Sequence, residues 1–106
     1  MPSYAYVYIL ASTFKHLYIG VTTNLQLRVW QHKNPKDNSS FAARYSINRL
    51  VYFEGYGLVT RAIRREKELK GWLRIRKIEL IVGKNPTWID LSEEWGKPIK
   101  MLDPDA

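Results

Sequence analysis

The sequence contains no cysteine. That absence excludes disulfide staples, iron–sulfur clusters, thiolate-bound zinc and cysteine nucleophiles. It also fits a reducing compartment, so a cytoplasmic location is expected. Histidine is nearly as scarce, and His16 with His32 is too little for a zinc site. No apolar run approaches the roughly 20 residues needed to span a bilayer, and Met1-Pro2-Ser3-Tyr4 places no basic segment ahead of an apolar stretch. Neither a membrane partner nor a secretory leader is therefore expected. Acidic residues are few as well: ten Asp and Glu stand against seventeen Lys and Arg, a formal charge of +7. A small chain this basic is expected to meet a polyanion, nucleic acid first.

What is present suits a single folded domain. The 106 residues are 45% hydrophobic and 13% aromatic, enough for one core and too few for two. Tyr4 to Leu10, rich in aromatic and β-branched residues, reads as a strand, and Leu17 to Val21 as its hairpin partner across a polar turn. Thr23 or Asn24 can cap a helix from Leu25 to about Lys33, with Leu25 and Val29 on one face. Asn34 to Ser40 reads as a loop, and Ile47 to Tyr56 as a third strand. Thr60 caps a further helix to about Lys70, and Trp72 to Val82 reads as another after the interruption at Gly71. Asn85-Pro86-Thr87-Trp88 is a turn, Ile89 to Trp95 a short helical segment, and Gly96 to Ala106 a tail. The order β-β-α-β-α-α implies a small α+β domain, a three-stranded antiparallel sheet flanked by helices. Residues 1–84 would form that domain, with 85–106 packed on it or trailing from it.

The charge is concentrated. Between Arg61 and Lys77 lie eight basic residues, Arg61, Arg64, Arg65, Lys67, Lys70, Arg74, Arg76 and Lys77, opposed only by Glu66 and Glu68. This stretch supplies +6 of the +7, a candidate phosphate-backbone footprint. The plainer reading is a solvated helix face softened by pairs such as Arg64 with Glu68.

Within it, Glu66 follows Ala62 by four residues and Ile63 by three, and precedes Leu69 by three, so it shares their apolar stripe. Glu68 lies about 200° further round, on the charged side. An inward carboxylate needs an ion-pair partner or a metal, and Arg28 is one such partner. Arg28 and His32, four apart, lie on one line of the earlier helix. An arginine can grip a phosphate through two parallel hydrogen bonds, and a histidine can relay a proton near neutral pH. Tyr8 and Tyr18 sit in the first two strands, where tyrosine is common; Tyr4, Tyr6 and Tyr52 read as ordinary strand residues.

Taken together, these residues resemble the GIY-YIG nuclease domain, most of all its small stand-alone members. Tyr6-Val7-Tyr8 stands for the first motif, with Tyr6 where the family has glycine, and Tyr18-Ile19-Gly20 for the second. Arg28, His32 and Glu66 follow in the family's order, and the likeness runs from about Tyr4 to Val82. Val21-Thr22-Thr23 follows the second motif, without the lysine found in some relatives. Asn85 resembles a late family asparagine, and Asn-Pro-Thr-Trp reads equally well as a turn.

The resemblance implies a three-stranded antiparallel sheet and metal-dependent hydrolysis of phosphodiester bonds in DNA, with a role in repair or recombination. It implies Glu66 as the sole protein ligand of one Mg²⁺ or Mn²⁺, a requirement that a hard, hydrated ion meets with phosphate oxygens and waters. Arg28 would stabilise charge on the phosphate, Tyr18 would be the candidate general base, and Tyr8 and His32 would orient or relay protons. Arg61, Arg64, Arg65, Lys67, Lys70, Arg74 and Lys77 would bind the nucleic acid, DNA before RNA.

A domain this small has little surface for reading sequence, so specificity is expected to be weak or led by structure. The same residues also fit a non-catalytic nucleic-acid-binding module, with Glu66 as a structural ion pair. An adaptor that anchors a protein partner through Trp72, Trp88 and Trp95 ranks third.

Overall fold

The computed structural model describes residues 4–37, 39–93 and 95. Its centre is β1 (Ala5–Ala11), hydrogen-bonded on one side to β2 (Leu17–Thr22) and on the other to β3 (Arg49–Tyr56). Both pairings are antiparallel and the sheet order is β2-β1-β3. Because β1 is central and covered on both faces, its sequence is a nearly continuous apolar run rather than a strict alternation. Val7 and Ile9 face one layer with Ile19, Ala62, Leu69 and Ile81. Tyr8 and Leu10 face the other, with Leu25, Val29, Ala42 and Ile47.

An irregularity between Ile9 and Leu10 shifts the register against β3, pairing Ile9 with Tyr52 and Leu10 with Leu50. The extra residue lets Val51 and Tyr52 enter the same core while Leu50 enters the opposite one.

One face carries α1 (Leu25–Lys33), whose bounds match the expected helix. Asn24 is its cap, its side-chain oxygen accepting from the Leu27 N–H at 3.1 Å. A short helix absent from the expected order, α2 (Phe41–Arg44), follows. Ser40, placed at the end of a loop by composition, caps it by accepting from the Ala43 N–H at 3.1 Å. Ser46, at φ 53°, turns the chain out of α2 and lets the Ile47 N–H reach the Ala42 carbonyl.

The other face carries α3 (Val59–Lys70), which packs on β1 and β2, and α4 (Arg74–Lys84), which packs on β3. Thr60 is inside α3 rather than at its cap; Leu58 holds the cap position and gives no side-chain bond. Ile63 is 38% exposed, so the buried stripe of α3 is Ala62 and Leu69 without it. α4 begins at Arg74 rather than Trp72 because Trp72 fills the corner between the helices. Its ring lies 5.0 Å from the Arg65 guanidinium and 4.4 Å from that of Arg76.

Ile89 to Trp95 forms turns among its described residues, not the expected helical segment. Its polar groups are drawn into the sheet instead. The Leu91 N–H donates to the Leu50 carbonyl at 2.7 Å, and Asp90 accepts from the Leu50 N–H at 3.1 Å and from Lys33 at 2.5 Å. Trp88 and Trp95 pack against the two cores, and Trp72 against the first, which fits core-building better than an adaptor surface. The tail expected over Gly96–Ala106 lies outside the described residues.

Candidate active site

Four of the five candidate catalytic side chains meet on the α1 face of the sheet. The pleat of β1 sends Tyr8 to that face, and the register sets it opposite Gly20 of β2. Tyr8 is fully buried and lies across Gly20. A Cβ at position 20 would stand 2.4 Å from the Tyr8 hydroxyl oxygen and 2.5 Å from Cζ. The glycine of Tyr18-Ile19-Gly20 is thus a space for the Tyr8 ring.

Tyr18, two residues before, turns to the same face, and its ring is 6.2 Å from that of Tyr8. From α1, His32 closes the triangle, 5.0 Å from Tyr18 and 5.8 Å from Tyr8 between ring centroids. The Tyr8 hydroxyl and His32 Nε2 are 3.1 Å apart. Burial, then the charge of Arg28, holds the His32 pKa below its ordinary value and favours the neutral imidazole beside Tyr8. Burial and the neighbouring Tyr18 push Tyr8 up to about 12, against the opposing pull of Arg28. Tyr8 therefore holds its proton firmly.

Arg28 lies one helical turn before His32 and beside both tyrosine hydroxyls, Tyr8 foremost, which hold its proton more firmly still. Its guanidinium also donates to Gln31 at 3.2 Å. Tyr18, Arg28, Gln31 and His32 line one side of an open cavity of about 280 Å³, and Phe41 and Ala42 of α2 line the other. Gln31 and α2 were not singled out from sequence. A Ser40 cap before Phe41-Ala42-Ala43-Arg44 was the available signal, but four residues are too short for a periodic pattern. Tyr45 stands beyond this rim, its ring 4.8 Å from Phe41 and 5.1 Å from His16.

Glu66 comes from α3, the helix on the other face of the sheet, and its side chain is 16% exposed against 51% for Glu68. The partner suggested from sequence was Arg28; the partner found is Lys70, at 3.3 Å and one turn on. Among the described residues no group of three or more His, Cys, Asp or Glu converges. A lone half-buried carboxylate suits an ion that keeps most of its water, as Mg²⁺ does, and does not suit zinc.

The basic helices lie on that second face also. Arg61, Arg64 and Lys67 are exposed, and Lys77 is half-buried. Arg65 is committed inside the molecule: its Nε and Nη2 donate to the two oxygens of Glu54 at 2.9 and 3.0 Å, and Nη1 to Glu68 at 2.6 Å. The pair suggested from sequence for Glu68 was Arg64; Arg65 takes that place. Glu54 also accepts from Tyr56 at 2.6 Å and from Tyr52. Arg74 donates to the Lys15 carbonyl at 2.6 Å.

No helix among the described residues is long and apolar enough to cross a membrane. A family model described as the GIY-YIG catalytic domain matches residues 4–79. The chain is similar to a UPF0213 protein of Haloquadratum walsbyi, 36% identical over 84 residues, which are 76% of this chain and 89% of that one. It is 37% identical to a UPF0213 protein of Clostridium perfringens over 84 residues, 76% and 85% of the two chains. Its fold is similar to the solution NMR structure of a UPF0213 protein from Bacillus halodurans, at 26% identity and a TM-score of 0.53. That likeness covers 89% of this chain and 98% of the other, and it includes the three-stranded sheet with its helices.

Proposed function

The chain belongs to the GIY-YIG catalytic-domain family, a nuclease family, and from that premise we propose that it is a divalent-metal-dependent endonuclease acting on DNA. The observation that carries this reading is the Tyr8–His32–Tyr18–Arg28 cluster opening onto a cavity at the surface.

Arg28 faces the cavity with a charge that cannot be titrated away, suited to the phosphate oxygens as negative charge builds on them. Tyr18, on the cavity wall, would take a proton from an attacking water, a role its exposure to the cavity supports. Tyr8 keeps its own proton and gives its hydrogen bond to His32, fixing the imidazole between the tyrosines. His32, its ring 5.0 Å from that of Tyr18, holds the Tyr18 side chain in place from the α1 side. Glu66 would hold one Mg²⁺ or Mn²⁺, whose chemistry is that of a Lewis acid and a template for the phosphate. The exposed Arg61, Arg64 and Lys67 supply sequence-independent attraction for the backbone, and specificity is weak or led by structure. We attach a cytoplasmic setting and a role in repair or recombination to the same reading.

The Glu66–Lys70 pair favours a second reading, a module that binds nucleic acid without cutting it. Nicking of supercoiled plasmid in magnesium or manganese separates the two. Cleavage by the wild type that is lost in Glu66→Ala and Arg28→Ala but kept in Glu68→Ala is the expected result. DNA bound but not cut by the wild type, on plasmid, branched and single-stranded substrates, would establish the module.

A further inference from the structure

The end of the sheet where β1 turns into β2 carries a separate concavity of about 130 Å³, lined by Thr13, Lys15, Arg49, Thr87 and Trp88 among others. Two cations, Lys15 and Arg49, line it, and a third, Arg74, is anchored on the Lys15 backbone. Arg49, half-buried, uses Nη2 on the Trp88 carbonyl at 3.1 Å. Arg74 reaches over from α4 to the Lys15 carbonyl. The Lys15 ammonium lies 5.3 Å from the centre of the Trp88 ring. Among the described residues, the ion pairs join other partners, so none of the three has a carboxylate against it. Among the described residues the half-buried Arg49 guanidinium is answered by one carbonyl, which leaves it donors for a further acceptor.

The backbone around the concavity is also unusual. Lys15 at φ 63° and Trp88 at φ 56° are two of the three left-handed non-glycine residues among those described, and they face each other here. For tryptophan this conformation is strained, and it persists because the neighbouring turns impose it. The Lys15 N–H is bound to the Ser12 carbonyl at 2.9 Å, and the Trp88 N–H to the Asn85 carbonyl at 3.1 Å. Asn85, buried, holds the next residue as well, its side chain bonding both the N–H and the carbonyl of Ile89. The two turns hold the Lys15 and Trp88 lips of the cationic notch in fixed positions.

The location completes the case. Lys15 lies three residues before Tyr18, in the turn that leads into β2. The notch joins the two faces of the sheet: Tyr18 and the cavity on one, Arg74 and the basic helices on the other.

We propose that this notch binds a phosphodiester group of the nucleic-acid strand. Its place in the molecule would lead the backbone from the tyrosine–arginine site round the sheet end to α3 and α4. The assignment rests on the nucleic-acid reading above and adds a contact that reading lacks. A guanidinium and an ammonium lining the concavity, with two threonine side chains beside them and Arg74 at the Lys15 backbone, suit the oxygens of a phosphodiester.

The test uses the full chain and two variants, Arg49→Gln and Lys15→Gln. The second alters only the head of an exposed side chain, so it stands if the first folds poorly. Binding of a labelled DNA oligonucleotide is followed by anisotropy over a range of salt, and inorganic phosphate is titrated while backbone amides are watched by NMR. Each variant is expected to bind DNA about five- to tenfold more weakly at moderate salt. Each should also lower the slope of log K against log salt by about one, the signature of a lost phosphate contact. If the slope is unchanged and phosphate still shifts the Lys15 and Trp88 amides in the wild type but not in Arg49→Gln, the strand assignment is overturned in favour of free phosphate. An unchanged slope with no such shifts removes the site altogether. A wild type that shows the notch-dependent slope yet fails to nick plasmid retires the nuclease and leaves the notch in place.

Discussion

Gly20 shows how much of the candidate site rests on one hydrogen atom. Tyr8 is fully buried, so its ring has no second position to move to, and it lies where a methyl group at residue 20 would be. Gly20→Ala is expected to push the Tyr8 hydroxyl out of reach of His32, to cost about 1–3 kcal/mol through overpacking, and to reduce nicking activity sharply. A urea midpoint and a plasmid assay on the same preparation would check both effects, and an active, equally stable Gly20→Ala would refute this account of the motif's glycine. Tyr8 and Tyr18 also divide roles that their shared residue type does not distinguish. Tyr8, pushed up to about 12 by burial and by Tyr18, keeps its proton, whereas Tyr18 lines the cavity. Glu66 and Glu68 part in the same way, and here helical spacing alone separated them.

At the scale of elements, the helices and strands were legible where a periodic face continues for two turns or more. The bounds of α1 follow from Asn24 and from Leu25 and Val29, all local signals. Elements fixed by distant partners were not. α2 is four residues long and is stabilised by Ile47 and the core beneath it. The Ile89–Trp95 segment has the composition of a helix, but Asp90 and Leu91 bond Leu50 of β3 and leave it as turns.

Asn85 is the pin of that region. It is 4% exposed, and its amide nitrogen donates to the Val51 carbonyl at 3.0 Å and to the Ile89 carbonyl at 2.8 Å, while its oxygen accepts from the Ile89 N–H. Asn85→Ala leaves these groups buried without partners and is expected to cost about 2–3 kcal/mol. A drop in urea midpoint accompanied by faster exchange of the Ile89 and Leu91 amides would show that the pin has been withdrawn.

The whole molecule carries a pH signature set by which groups it buries. His32 sits below its ordinary 6.5 through burial and then Arg28. As pH falls through 6.5 the unfolded chain takes up a proton that the native chain refuses, so stability declines from there downward until native His32 is itself protonated. Glu54 and Asp90 add to the acid side. Burial alone would raise both, but Arg65 with Tyr52 and Tyr56 outweighs it for Glu54, and Lys33 with Ser92 for Asp90. Their folded values are depressed, and the stability they confer is lost as pH drops below 4.5 and 3.8 respectively.

The alkaline side has the opposite sign. Tyr8, Tyr52 and Tyr56 are raised above 10.0, chiefly by burial, so stability falls as pH rises through 10.0 and the unfolded tyrosines ionise first. Urea midpoints measured from pH 3 to 11 should trace a plateau between about 7 and 9 with a decline on each side. Tyr8→Phe should make the alkaline decline shallower, and an unaltered decline would contradict the raised value.

The sequence by itself determined the composition-level facts and the local geometry: a cysteine-free basic chain, three strands, and three of the four helices. It also determined that Arg28 and His32 share a line and that Glu66 turns inward. These follow from the periods of the helix and strand, which act over a few residues. Only the tertiary structure decided which of those groups meet. Tyr8 and His32 are 24 residues apart in the chain and 3.1 Å apart in space, while Glu66 takes Lys70 as its partner and not Arg28. The reason is that sheet register, the bulge in β3 and the choice of face for each helix are settled by burial across the whole chain, a balance no short window of sequence contains.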